Sequence, residues 1–169
     1  MHTMERYFSK DDDMETTDAI AEAILRTCMK EGPLALANPT DYTCRANIMW
    51  AGTLAHNDLT GCGTTGDWAT HNIEHELSGL FDVSHGAGLA AVWGSWARYT
   101  RNENLPRFAR FAHNVMGIDT TNMSDMEASE TGIKAMEQFF RSIGMPTDIH
   151  TLVGKDITDA EIEEMAQKC

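Results

Sequence analysis

Positive charge is scarce in this chain: 13 Lys and Arg stand against 26 Asp and Glu over 169 residues, a formal net charge of −13 at pH 7. The cations are scattered, whereas binding to a polyanion needs them clustered, so no nucleic-acid partner is expected. Cysteine is sparse as well. Cys28, Cys44, Cys62 and Cys169 stand far apart and form no Cys-x-x-Cys pair, which excludes a zinc knuckle and reads as reduced thiols, not a disulfide frame. No apolar run approaches the length of a membrane span, and the opening Met1-His2-Thr3-Met4-Glu5-Arg6 has no apolar signal core. No membrane partner is expected, and the expected compartment is the cytoplasm. Strand signals are nearly missing too: there is no alternating β-branched run and no Asn-Gly or Asp-Gly hairpin dipeptide.

What is present is helical periodicity in a globular composition, 42% hydrophobic and 23% charged. The length suits one compact domain, so the expected fold class is all-α, a multi-helix bundle over residues 1–169. Apolar residues Ala19, Ile20, Ala23, Ile24 and Cys28 recur at helical spacing from Met14 to Lys30, and Gly32-Pro33 should stop that helix. Asn38-Pro39-Thr40-Asp41 should start the next, running to about Asn57. A flexible glycine-rich loop, Gly61 to Gly66, should come after it. Asp67 should cap a helix carrying His71 and His75 and ending near Ser78-Gly79, and Ser84 one running from His85 towards Arg101. Further helices are expected over 104–116, 123–143 and 158–168, the last opened by the capping-box spacing Thr158-x-x-Glu161. Asp11-Asp12-Asp13 reads as a solvated turn, and Trp93, Trp96, Met116, Met123 and Met126 read as core. Residues 2–8 and 161–169 show helix without a start or a stop signal, so the domain is expected to be cut at both ends.

Three of the seven histidines, His71, His75 and His85, fall within fifteen residues. His71 and His75 are one helical turn apart on one face, and His85 lies just past a turn that can fold it back. Converging imidazoles suit a first-row divalent metal. Two motifs compete for the same region. Gly61-Cys62-Gly63-Thr64-Thr65-Gly66 matches Gly-x-Gly-x-x-Gly, but the dinucleotide fingerprint needs a strand ahead of it, and here a helix precedes. His71-x-x-Glu74-His75 spells the inverted zincin motif, with two zinc ligands and a glutamate base. A zinc hydrolase built on it would need a third ligand, with Glu127, Glu130 and Glu137 as candidates, and would leave His85-Gly86 unexplained. A helical interaction module without chemistry is the third reading. His56, His113 and His150 sit near helix ends and read as exposed or hydrogen-bonded.

The stretch His71-x3-His75-x9-His85-Gly86, with Trp68-Ala69-Thr70 ahead and Gly88-Leu89-Ala90 after, resembles the iron-containing (group III) alcohol dehydrogenases, in their butanol dehydrogenase branch. His2-Thr3-Met4-Glu5-Arg6-Tyr7-Phe8 resembles the family's earlier ligand helix, and Arg45-Ala46-Asn47-Ile48-Met49-Trp50-Ala51 its following core helix. The likeness spans nearly the whole chain. It implies the C-terminal helical domain of a dehydroquinate synthase-like fold, with a preceding nucleotide-binding domain absent from this sequence. It further implies a metal held by one aspartate and three histidines. Those histidines fall on His2, His71 and His85, while the aspartate would lie one turn ahead of His2, outside the sequence. His75 matches a catalytic histidine that lines the site near the nicotinamide. The implied cofactors are Fe2+, with Zn2+ as an alternative, and NAD or NADP in the intact enzyme. The implied reaction interconverts a primary alcohol and an aldehyde, the fragment alone being inactive, and a homo-oligomer is expected.

Overall fold

The computed structural model describes residues 1–11 and 13–169, and Asp12 of the expected acidic turn lies outside the described residues. Among the described residues there are nine α-helices and no strand. They are α1 (His2–Tyr7), α2 (Glu15–Ala37), α3 (Tyr42–His56), α4 (Ala69–Phe81), α5 (His85–Thr100), α6 (Leu105–Asn114), α7 (Asp125–Ser142), α8 (Ile149–Val153) and α9 (Asp159–Lys168). Helices adjacent in sequence pair in space, α2 with α3, α4 with α5 and α6 with α7, and α5 also packs on α7. Gly132 permits the close approach of α6 and α7: a Cβ there would lie 2.8 Å from the Ala112 Cβ.

α1 is the element least able to stand by itself. Six residues cannot sustain a helix alone, because nucleation fixes several dihedrals for one hydrogen bond. Burial holds it instead. Thr3, Met4, Glu5, Arg6 and Tyr7 are all buried, and Met4, Tyr7 and Phe8 belong to a core shared with Trp93, Phe108, Phe111 and Ile133. Phe8 stacks on Phe108 with ring centres 4.3 Å apart, an arrangement that adds to plain area burial. Tyr7 donates its hydroxyl to Glu22 of α2 at 3.0 Å. Burial and that carboxylate push the phenol well above its usual range.

The structure corrects several boundaries. α2 does not stop at Gly32-Pro33 but runs through Pro33 to Ala37. Proline removes one N–H and crowds the carbonyl four residues back, yet one more turn of α2 forms beyond it, closed by the Asn38 N–H donating to the Leu34 carbonyl at 2.9 Å. Here Glu31, two residues ahead of the proline, is buried beside Cys44 of α3, while Leu34 and Leu36 beyond it are exposed. Asp67 acts one residue further out than expected: α4 begins at Ala69, and Asp67 Oδ1 accepts from its backbone N at 2.9 Å. The glycine-rich loop is anchored, not free. Thr65 donates its N (2.6 Å) and hydroxyl (2.9 Å) to Asp11, Thr17 donates to the Cys62 carbonyl (3.1 Å), and Asp67 N donates to the Glu5 carbonyl (2.8 Å). α8 carried no periodicity long enough to be expected. Trp93 and Trp96 are core as expected, whereas Met123 and Met126 are exposed.

Candidate metal centre

Four of the five imidazoles on one side of the bundle come from α1, α4 and α5. The rings of His2 and His71 lie 4.5 Å apart, His71 and His85 5.2 Å, His71 and His75 5.9 Å, and His75 and His85 5.5 Å. The residues expected from separate segments therefore meet in a row: His2, His71, His85, with His75 against the last two. His2 and His85 also line one cleft of about 470 Å³, whose remaining walls are largely apolar side chains such as Met29, Leu89 and Phe139. His71 is buried, His2 is half-buried, and His75 and His85 are exposed.

Two buried glutamates brace this row. Glu5 of α1 is fully buried and accepts from the Thr70 hydroxyl, from the His71 backbone N at 3.0 Å, and from His71 Nδ1. Glu74 of α4 is likewise fully buried and accepts from the Ser78 hydroxyl and from His85 Nδ1. Gly88 makes room for it, since a Cβ there would stand 2.6 Å from Glu74 Oε1. A carboxylate only accepts, so each Nδ1 carries a hydrogen, and in the neutral ring Nε2 keeps a free lone pair. That is the arrangement in which an outer carboxylate orients a metal-ligating histidine. His71 Nε2 is buried and has no hydrogen-bond partner among the described residues. An unpaired buried nitrogen is unfavourable on its own account, and a cation is the partner its lone pair suits.

Electrostatics point the same way. Burial, then the neighbouring His71 and His56 imidazoles, pull the His2 pKa down to about 4. Burial also lowers that of His71, with Glu5 opposing it. Both rings are thus neutral near pH 7, the form that ligates metals. Trp68 packs edge-on to His2 (5.6 Å) and His71 (5.5 Å), and the Arg6 guanidinium lies 5.3 Å from its ring centre.

Another set is tighter: Glu74, His75 and His85 offer one ligand atom each within 4.8 Å of one another. Its carboxylate, however, already accepts from both Ser78 and His85. Glu74 is therefore committed to His85 and Ser78. The acidic residues considered as a third zinc ligand are engaged elsewhere. Glu127 closes the Ser124 capping box, and Glu130 and Glu137 pair with Arg98. Glu5 was invisible in the sequence as a site residue, and Glu74 was visible only in another role. His56, expected to be exposed or hydrogen-bonded, is both, and its ring also lies 4.2 Å from that of His2.

Fold and site together define a class: an all-helical domain presenting neighbouring imidazoles oriented by buried carboxylates. The chain belongs to the Fe-containing alcohol dehydrogenase family, whose C-terminal region it matches over residues 1–169. It is 41% identical over 169 residues to NADH-dependent butanol dehydrogenase A of Clostridium acetobutylicum, covering 99% of this chain and 42% of that protein. Against the NADPH-dependent aldehyde reductase of Escherichia coli it is 38% identical over 149 residues, 88% of this chain and 38% of the other. The solved substrate- and cofactor-free structure of the Escherichia coli aldehyde reductase superposes with a TM-score of 0.91 at 36% identity, over 98% of this chain and 43% of that one. NADH-dependent butanol dehydrogenase A of Thermotoga maritima gives 0.89 at 34% identity, over 99% of this chain and 40% of that one. The chain thus spans less than half the length of the relatives it matches. Among the described residues, no helix is long and apolar enough to cross a membrane.

Proposed function

We propose that the chain is the metal-holding half of an NAD(P)-linked alcohol dehydrogenase that interconverts a primary alcohol and an aldehyde. His2, His71 and His85 are its metal ligands and His75 its substrate-facing histidine. The observation that carries this reading is the pair His71 Nδ1 on buried Glu5 and His71 Nε2 buried without a partner among the described residues, amid three other imidazoles. The relatives' names, an NADH-dependent butanol dehydrogenase and an NADPH-dependent aldehyde reductase, support the chemistry and the nicotinamide.

When bound, a divalent ion, Fe2+ or Zn2+, supplies Lewis acidity towards a substrate oxygen, and the nicotinamide exchanges the hydride. The chain's own residues do the rest. Glu5 and Glu74 fix the tautomers of His71 and His85 and aim their Nε2 atoms. Burial keeps His71 neutral. His75, exposed beside His85, takes or returns the alcohol proton at a ring nitrogen. The apolar cleft beside His2 and His85 limits access of water to that side. The nicotinamide is bound by a part of the longer enzyme that these residues do not supply, and the enzyme works as a homo-oligomer in the cytoplasm.

Metal titration of the purified chain tests the assignment. His2→Ala, His71→Ala and His85→Ala should each weaken Zn2+ binding more than His75→Ala does. The opposite order for His75 and His85 is what a hydrolase using His71, Glu74 and His75 would give. The chain alone should show no oxidation of NADH or NADPH with butyraldehyde; robust turnover would overturn the division of labour proposed.

A further inference from the structure

The three histidines assigned to the metal are not braced alike. His71 and His85 each have Nδ1 on a fully buried carboxylate. Among the described residues, neither ring nitrogen of His2 has a hydrogen-bond partner. Its ring is held by packing alone, between His56 at 4.2 Å, His71 at 4.5 Å and the edge of Trp68 at 5.6 Å. Beside it opens the cleft of about 470 Å³ that His2, His56 and His85 line together. An imidazole with no hydrogen bond and open space on one side needs a steric stop to keep one rotamer.

His56 is built to be that stop. It is the last residue of α3, and its Nδ1 donates to the Gly52 carbonyl one turn back at 2.8 Å, which fixes the ring against its own helix. The same turn is tied to α1, for Arg6 Nη1 donates to the Ala55 carbonyl at 2.6 Å and Arg6 Nη2 pairs with Asp58 at 2.8 Å. The ring planes of His2 and His56 meet at 42° with no hydrogen bond between them, so the contact is tilted ring packing. We propose that His56 is a positioning residue: its ring closes the α3 side of His2 and keeps that imidazole turned to His71. It acts through its shape and not as a metal donor. The inference rests on His2 being a ligand, as proposed for the intact site.

The test is Co2+ titration of the purified 169-residue chain, with affinity read by chelator competition and ligand geometry by the visible Co2+ absorption. Far-UV circular dichroism checks that each variant is folded. His56→Ala should weaken Co2+ binding about 10–100-fold, the range for losing an outer orienting group. His56→Phe, which restores a ring without a donor nitrogen, should bind within about threefold of the parent, with the same spectrum. Equal losses in His56→Ala and His56→Phe would show that the shape of the ring is not what positions His2 and overturn the proposal. So would parental affinity in His56→Ala. His2→Ala separates the two levels: if it leaves Co2+ binding unchanged, or if the parent binds no Co2+, the metal assignment of His2 fails and takes this inference with it. If His2→Ala weakens binding and His56→Ala does not, only the positioning role falls.

Discussion

Glu5 commits its carboxylate to α4 through three hydrogen bonds, from the Thr70 hydroxyl, the His71 N–H and the His71 ring. Glu5→Gln keeps the shape but sets an amide donor where an acceptor is needed, so one donor must lose its partner. We expect Zn2+ affinity to fall about 10–100-fold by chelator competition, and urea unfolding to show a loss of about 1–3 kcal/mol from the buried unpaired donor. His71, His75 and His85 were legible in the sequence because their spacing is a local, helical property: the first two must share a face, and the third must come after a turn, whereas His2 was reached only through the family resemblance. The braces were not legible. Which carboxylate meets which imidazole depends on how α1 crosses α4, and nothing local in Met4-Glu5-Arg6 marks Glu5 as buried. His56 escaped for the same reason, since it meets His2 only through the packing of α3 on α1.

Among the elements, α2 and α9 offer the clearest checks. Pro33 interrupts α2 four residues before its end. Pro33→Ala restores an N–H and removes a clash worth about 3 kcal/mol in a helix interior, against about 0.4–1 kcal/mol gained by the freer unfolded chain. A net stabilisation of about 2–2.5 kcal/mol should appear as a raised urea midpoint. α9 is opened by a capping box in which Thr158 and Glu161 bond one another's backbone N–H. Lys155, then the Thr158 N–H and hydroxyl, hold the Glu161 carboxyl down at about 2, below its ordinary 4.5. Because the folded pKa is depressed, this support is complete above about pH 4.5 and is lost as the pH falls towards 2. Amide exchange in α9 should therefore quicken over that window, and Glu161→Gln should flatten the dependence. The capping box was readable from four letters, because its chemistry is entirely local. The passage of α2 through Pro33 was not, because Gly-Pro is a local stop signal and the helix continues one turn beyond it.

For the molecule as a whole, helical periodicity was enough to establish the all-α class, since nearly every segment buries one stripe against a neighbour. Periodicity says less about which stripes stay uncovered. Tyr42, Met49 and Trp50 of α3 are 84%, 70% and 64% exposed, a concentration of apolar surface that favours association. The net charge of −13 opposes it, and salt screens that repulsion. Sedimentation velocity should show self-association growing with ionic strength, and Met49→Lys with Trp50→Glu should reduce it. A chain that stays monomeric at high salt and high concentration would remove that face as an interface. His2 and Glu5 share one six-residue helix, so the segment that contributes an imidazole also aims the imidazole of another segment. A rotation of α1 by a single residue would turn both away together. Anyone transplanting this centre into a designed bundle must therefore move α1 and α4 as one matched pair, for the two helices are halves of a single template.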